Sequence, residues 1–111
     1  MPRTRADLGW GVILSLVAGV GEELFFRLAV PLLVALATGS ALAGFLLSAV
    51  MFAAAHRYQG RAGVIATGAM GVVFSLLYLS SGALWLAIAA HIVVDINSLV
   101  IRPAITGAWK A

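Results

Sequence analysis

Hydrophobic positions along this chain fall in four blocks, separated by short polar or glycine-containing breaks. The first block runs from Leu8 to Ala37 and is interrupted by Glu22, Glu23 and Arg27. The second covers roughly residues 40–55, after Thr38-Gly39-Ser40. The third covers 62–79, after Arg57-Tyr58-Gln59-Gly60-Arg61, and the fourth 83–101, after Ser80-Ser81-Gly82. Pro103 is expected to help stop the fourth. At ~1.5 Å per helical residue the last two reach roughly 27 and 28 Å, close to a hydrocarbon core of about 30 Å. Neither shows the strict polar–apolar alternation of a barrel strand. The pattern predicts an all-α, polytopic membrane protein, a bundle of about four transmembrane helices.

The first block is too long for one straight span. Thirty helical residues would reach about 45 Å, so this helix is expected to be tilted or broken, with Gly19, Gly21 and Pro31 as hinges. One arrangement makes residues 8–20 a separate or surface-lying helix that delivers Glu22 to the membrane boundary. A signal peptide competes for the start, because Arg3 and Arg5 precede a mostly apolar run. A poor Ala-x-Ala-like site and the charged motif that follows at once weigh against it.

Composition agrees with a bilayer as solvent. Of 111 residues, 63% are hydrophobic and 10% charged, where a soluble domain carries about 25% charged residues. Mean hydropathy is +1.10. A disordered tail and a nucleic-acid module are excluded, and the pI near 10.2 reflects a few cations in short connectors. With no cysteine, disulfides and thiolate metal sites are excluded. If all four blocks cross, Arg3, Arg5, Arg57, Arg61, Arg102 and Lys110 share one side, while the connectors around Gly39 and Ser81 carry no cation. That positive-inside pattern puts both termini in the cytoplasm. Residues 1–111 read as a single membrane domain. Gly63, Thr67, Gly71 and Ser75, at four-residue steps, form a small-residue packing face.

Chemistry is expected where charge enters apolar blocks. Burying a charge at the bilayer centre costs at least ~2.5–3.5 kcal/mol, so such groups are paired or face a wet cavity. Glu23 and Arg27 are four apart and can form an ion pair on one helix face. Glu22 points about 100° away and is left as a poorly solvated carboxylate suited to general-base work. Phe52 and His56 share a face at i, i+4, a weak signal by itself. His91 and Asp95 do the same, on a stripe with Ala83, Ala87 and Ser98, which equally suits a buried bond locking two helices. Asn97 lies off that stripe. One Glu, two His and an Asp on separate helices make the inventory of a hydrolytic site. Zinc held by Glu22, His56 and His91 with an open water position is one mechanism. The other is metal-free: Glu22 assisted by His56 activates water while His91 and Asp95 orient and stabilise the oxyanion. An ionised Asp95 would repel that oxyanion, so it would rather fix His91 or act protonated. The residues leave both mechanisms open.

At these positions the chain resembles the CaaX-protease and bacteriocin-processing (CPBP, or Abi) intramembrane proteases. The resemblance rests on Glu22-Glu23 with Arg27, then Phe52 with His56, then His91 with Asp95, in that order, and covers a core of about 19–97. The stretch from Tyr78 to His91 is also similar. Leu28 stands where the family often has Gly, and Asp95 is the acid alternative to the commoner Asn. The resemblance implies a proteolytic core around a cytoplasm-facing cavity. Glu22 would be the water-activating base, His56 its partner, His91 with Asp95 the oxyanion side, and Glu23 with Arg27 support. It implies an intramembrane endopeptidase acting on a membrane-bound or lipidated peptide. A non-catalytic scaffold or bacteriocin self-immunity protein that retains the motif is the alternative, and a proton-linked transporter a distant third. Expected partners are membrane lipid and the peptide substrate, with no nucleic acid. Because family members carry further helices, additional helices or a homodimer through the Gly63/Gly71 face are also expected.

Overall fold

The computed structural model describes residues 4–107, where every regular element is a helix and there is no strand. Arg3 and Lys110, two of the cations in the charge pattern, lie outside the described residues. Helix α1 spans Arg5–Glu23 and starts on a capping box, in which Thr4 and Asp7 bond reciprocally to each other's backbone N–H. It continues without a break through a π-helical turn at Leu24–Ala29 into α2, Val30–Thr38. The expected hinges at Gly19 and Gly21 are ordinary helix, and the irregularity sits just before Pro31.

Proline accounts for the π turn. Its ring lacks an N–H and crowds the carbonyl one turn back, and the π register carries the bonds past it: Val30 N–H donates to the carbonyl of Phe25, five residues back. The same register would assign Pro31 the carbonyl of Phe26, which it cannot satisfy. Ser48 Oγ donates to that carbonyl instead, from the neighbouring helix.

Gly39 closes α2 in a left-handed conformation, and Ser40 caps α3, Ala41–Ala55, by accepting from Ala43 N–H at 3.1 Å. A 3₁₀ turn at Arg57–Gln59 leads into α4, Gly60–Ser81. Gly82, again left-handed, precedes α5, Leu84–Ile96. A second π turn, Asn97–Ile101, joins α5 to α6, Arg102–Thr106. Pro103 therefore does not stop the fourth helix: it occupies the first turn of α6, behind a π turn of the kind that precedes Pro31.

The long first helix divides its partners. Its α1 half packs on α5, its α2 half on α3, and α4 closes the ring against α3 and α5. Residues 8–20 are accordingly not a separate helix. Glycines set these approaches: a Cβ on Gly44 would meet the Pro31 carbonyl oxygen at 2.6 Å, and one on Gly19 would overlap Ile92. Gly11 likewise faces Val100, so α1 runs antiparallel to α5 and its π turn.

The buried core is small, with Phe26, Val30, Phe52, Phe74 and Ala87 its apolar members. Leu36, Leu46, Ile65, Leu76 and Val93 point outward and are exposed. Such a surface suits hydrocarbon rather than water. Arg57–Ser81 and Leu84–Thr106 are long and apolar enough to cross a membrane, and Ala41–Ala55 is a shorter apolar helix.

Candidate functional site

Helix α3 ends at Ala55, so the half of the bundle built by α1, α4 and α5 continues past it. A cavity of about 510 Å³ lies there, reached by Glu22, His56, His91 and Asp95 together with Ala18 and Thr67. The four polar residues come from three separate helical segments. Glu22 belongs to α1, one residue from the π turn. His56 caps the C-terminus of α3, where its Nδ1–H donates to the Phe52 carbonyl at 2.7 Å. His91 and Asp95 lie one turn apart on α5.

Their polar atoms converge. His56 Nε2 is 3.1 Å from Glu22 Oε1, and His91 Nε2 is 3.7 Å from Glu22 Oε2. Asp95 Oδ2 reaches the same His91 nitrogen at 3.3 Å. Glu22 is 28% exposed and Asp95 26%, so the carboxylates meet the cavity while His91 forms its floor. The expectation that Glu22 is left clear of Arg27 agrees with this arrangement, although two imidazoles approach it.

A fully buried layer supports the floor. Glu23 has no exposed surface and lies 3.4 Å from Arg27 Nε, the ion pair that the i, i+4 spacing announces. Its other oxygen accepts from His91 Nδ1 at 2.6 Å, a contact between α1 and α5 that spacing along either helix does not show. Arg27 continues the layer: one Nη donates to the Gly71 carbonyl at 2.6 Å, and its guanidinium lies 4.5 Å from the Phe52 ring centre. A charged fork over an aromatic face in a dry place is an attractive contact. Phe52 also packs against His56, with ring centres 4.5 Å apart.

Sequence reading missed two parts of this architecture, Phe74 and Gln59, and marked Gly71 for packing without showing what it packs against. Phe74 stacks on His91 at 4.9 Å and 13°, and nothing in its surroundings along the chain singles it out. Gly71 is buried, and a Cβ there would stand 2.8 Å from Phe52 and 3.0 Å from Arg27. The small-residue stripe on α4 thus packs inside this chain, and a second copy could not join through Gly71 without displacing Phe52. Gln59, finally, folds its side chain over Gly63 and accepts from Thr67 Oγ1 at 2.6 Å, on the cavity wall. The four-residue spacing did mark Gly63, Thr67 and Gly71, but as a packing face.

Several carboxylates and two imidazoles around a partly enclosed space can take a proton from water, return it, and hold a polarised carbonyl. Among the described residues, Glu22, His91 and Asp95 form a set whose ligating atoms all lie within 4.8 Å of one another. His56 contacts the other oxygen of Glu22.

A family model described as type II CAAX prenyl endopeptidase Rce1-like matches residues 4–97. The chain belongs to that family, which is the CPBP family identified from its motifs. It is a membrane-embedded protease family, so a peptide or protein substrate and membrane association follow at family level. No curated protein and no solved structure matches the chain.

Proposed function

We propose that this chain is an intramembrane endopeptidase that hydrolyses a peptide bond in a membrane-bound or lipidated peptide. The observation that carries the reading is the meeting of Glu22 with His56 and His91, from three helical segments, at the wall of a cavity in a family of proteases. In this reading Glu22 and His56 take a proton from water. The water oxygen bonds to the carbonyl carbon, the C–N bond breaks, and the proton passes to the departing nitrogen. His91 and Asp95 face the carbonyl oxygen. Glu23, Arg27 and Phe52 position the others without touching substrate.

The remaining expectations belong to this proposal. The chain is a single membrane domain, 1–111, with its core about 19–97 and four crossings. Arg57, Arg61 and Arg102 lie on the cytoplasmic side with both termini. The apolar wall of the cavity, with Leu14, Ala18, Ala66, Met70 and Leu99, suits an acyl or prenyl chain beside the scissile bond.

The test compares peptide termini in membranes of a host expressing wild type or Glu22→Gln at matched levels. New termini that vanish in Glu22→Gln, with that variant folded, are expected. Unchanged termini with both proteins folded would overturn the reading in favour of a scaffold or immunity protein.

A further inference from the structure

Gln59 stands exposed on the cavity wall, yet its side chain is held in place. A free glutamine samples many rotamers, and fixing one of them opposes folding. Two contacts with α4 fix this one. Gly63 leaves room for it, since a Cβ there would overlap Gln59 Cβ. One turn beyond Gly63, Thr67 Oγ1–H donates to Gln59 Oε1 at 2.6 Å. That bond occupies the amide oxygen and settles which way the amide faces. Nε2 carries two N–H groups, and its one hydrogen-bond partner among the described residues is the Tyr58 hydroxyl, at a long 3.4 Å. At least one donor is therefore left for a ligand. The same short turn follows His56, whose ring lies 5.9 Å from that of Tyr58. The fixed amide and the histidine that meets Glu22 thus ride on one segment.

We propose that Gln59 is a substrate-binding residue that donates from Nε2 to a backbone carbonyl of the peptide, and that Thr67 is the positioning residue that aims it. A neutral N–H suits a carbonyl oxygen, and Glu22 and Asp95 on the same cavity disfavour a carboxylate there. An amide ordered before the ligand arrives loses less freedom on binding. Apolar contact is non-directional, so the apolar wall holds bulk while this donor sets the register of the peptide against Glu22. The assignment rests on the peptidase reading. A latch that merely held the turn on α4 would need only the oxygen that accepts from Thr67. Gln59→Glu keeps that oxygen and removes both N–H donors, which separates the two roles.

The test uses the full chain in lipid nanodiscs, carrying Glu22→Gln so that the probe stays whole. The probe is a dansylated peptide with one farnesylated cysteine followed by three aliphatic residues. Binding is read as saturable energy transfer from the protein's tryptophans. Gln59→Ala should weaken binding about 3–10-fold, as loss of one ordinary hydrogen bond does. Gln59→Glu should weaken it at least as much, because a carboxylate then faces the carbonyl. Thr67→Val should weaken it by a smaller factor, and Thr67→Ser should restore it. With Glu22 in place, Gln59→Glu should raise KM and leave kcat nearly unchanged, the mark of a contact made equally in ground and transition states. Equal binding by Gln59→Glu and its parent, or no saturable binding by either, overturns the assignment; an ineffective Thr67→Val overturns the part given to Thr67. If the assignment falls while Glu22-dependent termini appear in host membranes, the peptidase reading stands. If binding depends on Gln59 as described and no peptide is cut, the amide site stands and the peptidase reading falls.

Discussion

Glu22 and Glu23 are neighbours in sequence and differ in nearly every physical respect. Their side chains leave the helix about 100° apart, so one enters the cavity and the other the dry layer behind it. Glu23 joins Arg27 and His91 in that layer, and removing one member of a buried ionic set leaves an uncompensated charge. Glu23→Gln is expected to destabilise the protein by about 3–5 kcal/mol, measured by chaotrope unfolding in detergent. Glu23→Gln combined with Arg27→Met should recover part of that loss. A double variant less stable than the single would show that Arg27 does not depend on Glu23. At Glu22 the expectation is opposite: Glu22→Gln should leave the unfolding midpoint nearly unchanged while lowering cleavage by at least ~10²-fold.

Helices in this molecule are shaped by what proline cannot donate. The Phe26 carbonyl, orphaned by Pro31, is satisfied by Ser48 from α3, so a backbone defect on one helix becomes a tie to the next. Ser48→Ala should cost about 1–3 kcal/mol, the usual penalty for a buried acceptor left unmade. Pro31→Ala supplies an N–H at the right register, so Ser48→Ala should cost less in that background. Equal costs in both backgrounds would show that Ser48 acts by packing alone. The π turn also lies directly after Glu23 and carries Arg27, so it sets the angle at which the guanidinium reaches Gly71. Pro103 follows a π turn in the same way on the last helix.

The whole molecule is held by close backbone approach rather than by a large core. Gly44 against Pro31 is the tightest contact with backbone, and backbone cannot swing aside. Gly44→Ala should therefore separate α2 from α3 and cost about 1–3 kcal/mol, as overpacking does. The lowered thermal midpoint that follows is the readout; an unchanged midpoint would mean the helices have room. Membrane topology is testable at the same scale, because the chain has no cysteine. Single cysteines at Tyr58 and Arg102 should react with an impermeant reagent from one side, and those at Gly39 and Ser81 from the other. Labelling of Tyr58→Cys and Gly39→Cys from the same side would overturn the four-crossing arrangement.

Much of this was legible in the chain itself. Helical class follows from apolar blocks without alternation, and the breaks at Gly39 and Gly82 from residues that accept a left-handed turn. The Glu23–Arg27 pair follows from spacing along one helix, which a linear sequence states outright. Motif order also pointed to the family whose model matches residues 4–97, and the structure brings Glu22, His56, His91 and Asp95, the four residues those motifs singled out, to one cavity. Contacts between helices were beyond it: Glu23 with His91, Ser48 with Phe26 and Arg27 with Gly71 join residues far apart in sequence. Periodicity tells which face of a helix a side chain occupies and nothing of which helix it meets. That choice was made by glycine approaches and proline-induced π turns, and with it the tertiary structure decided which carboxylate faces the cavity and which is buried behind it.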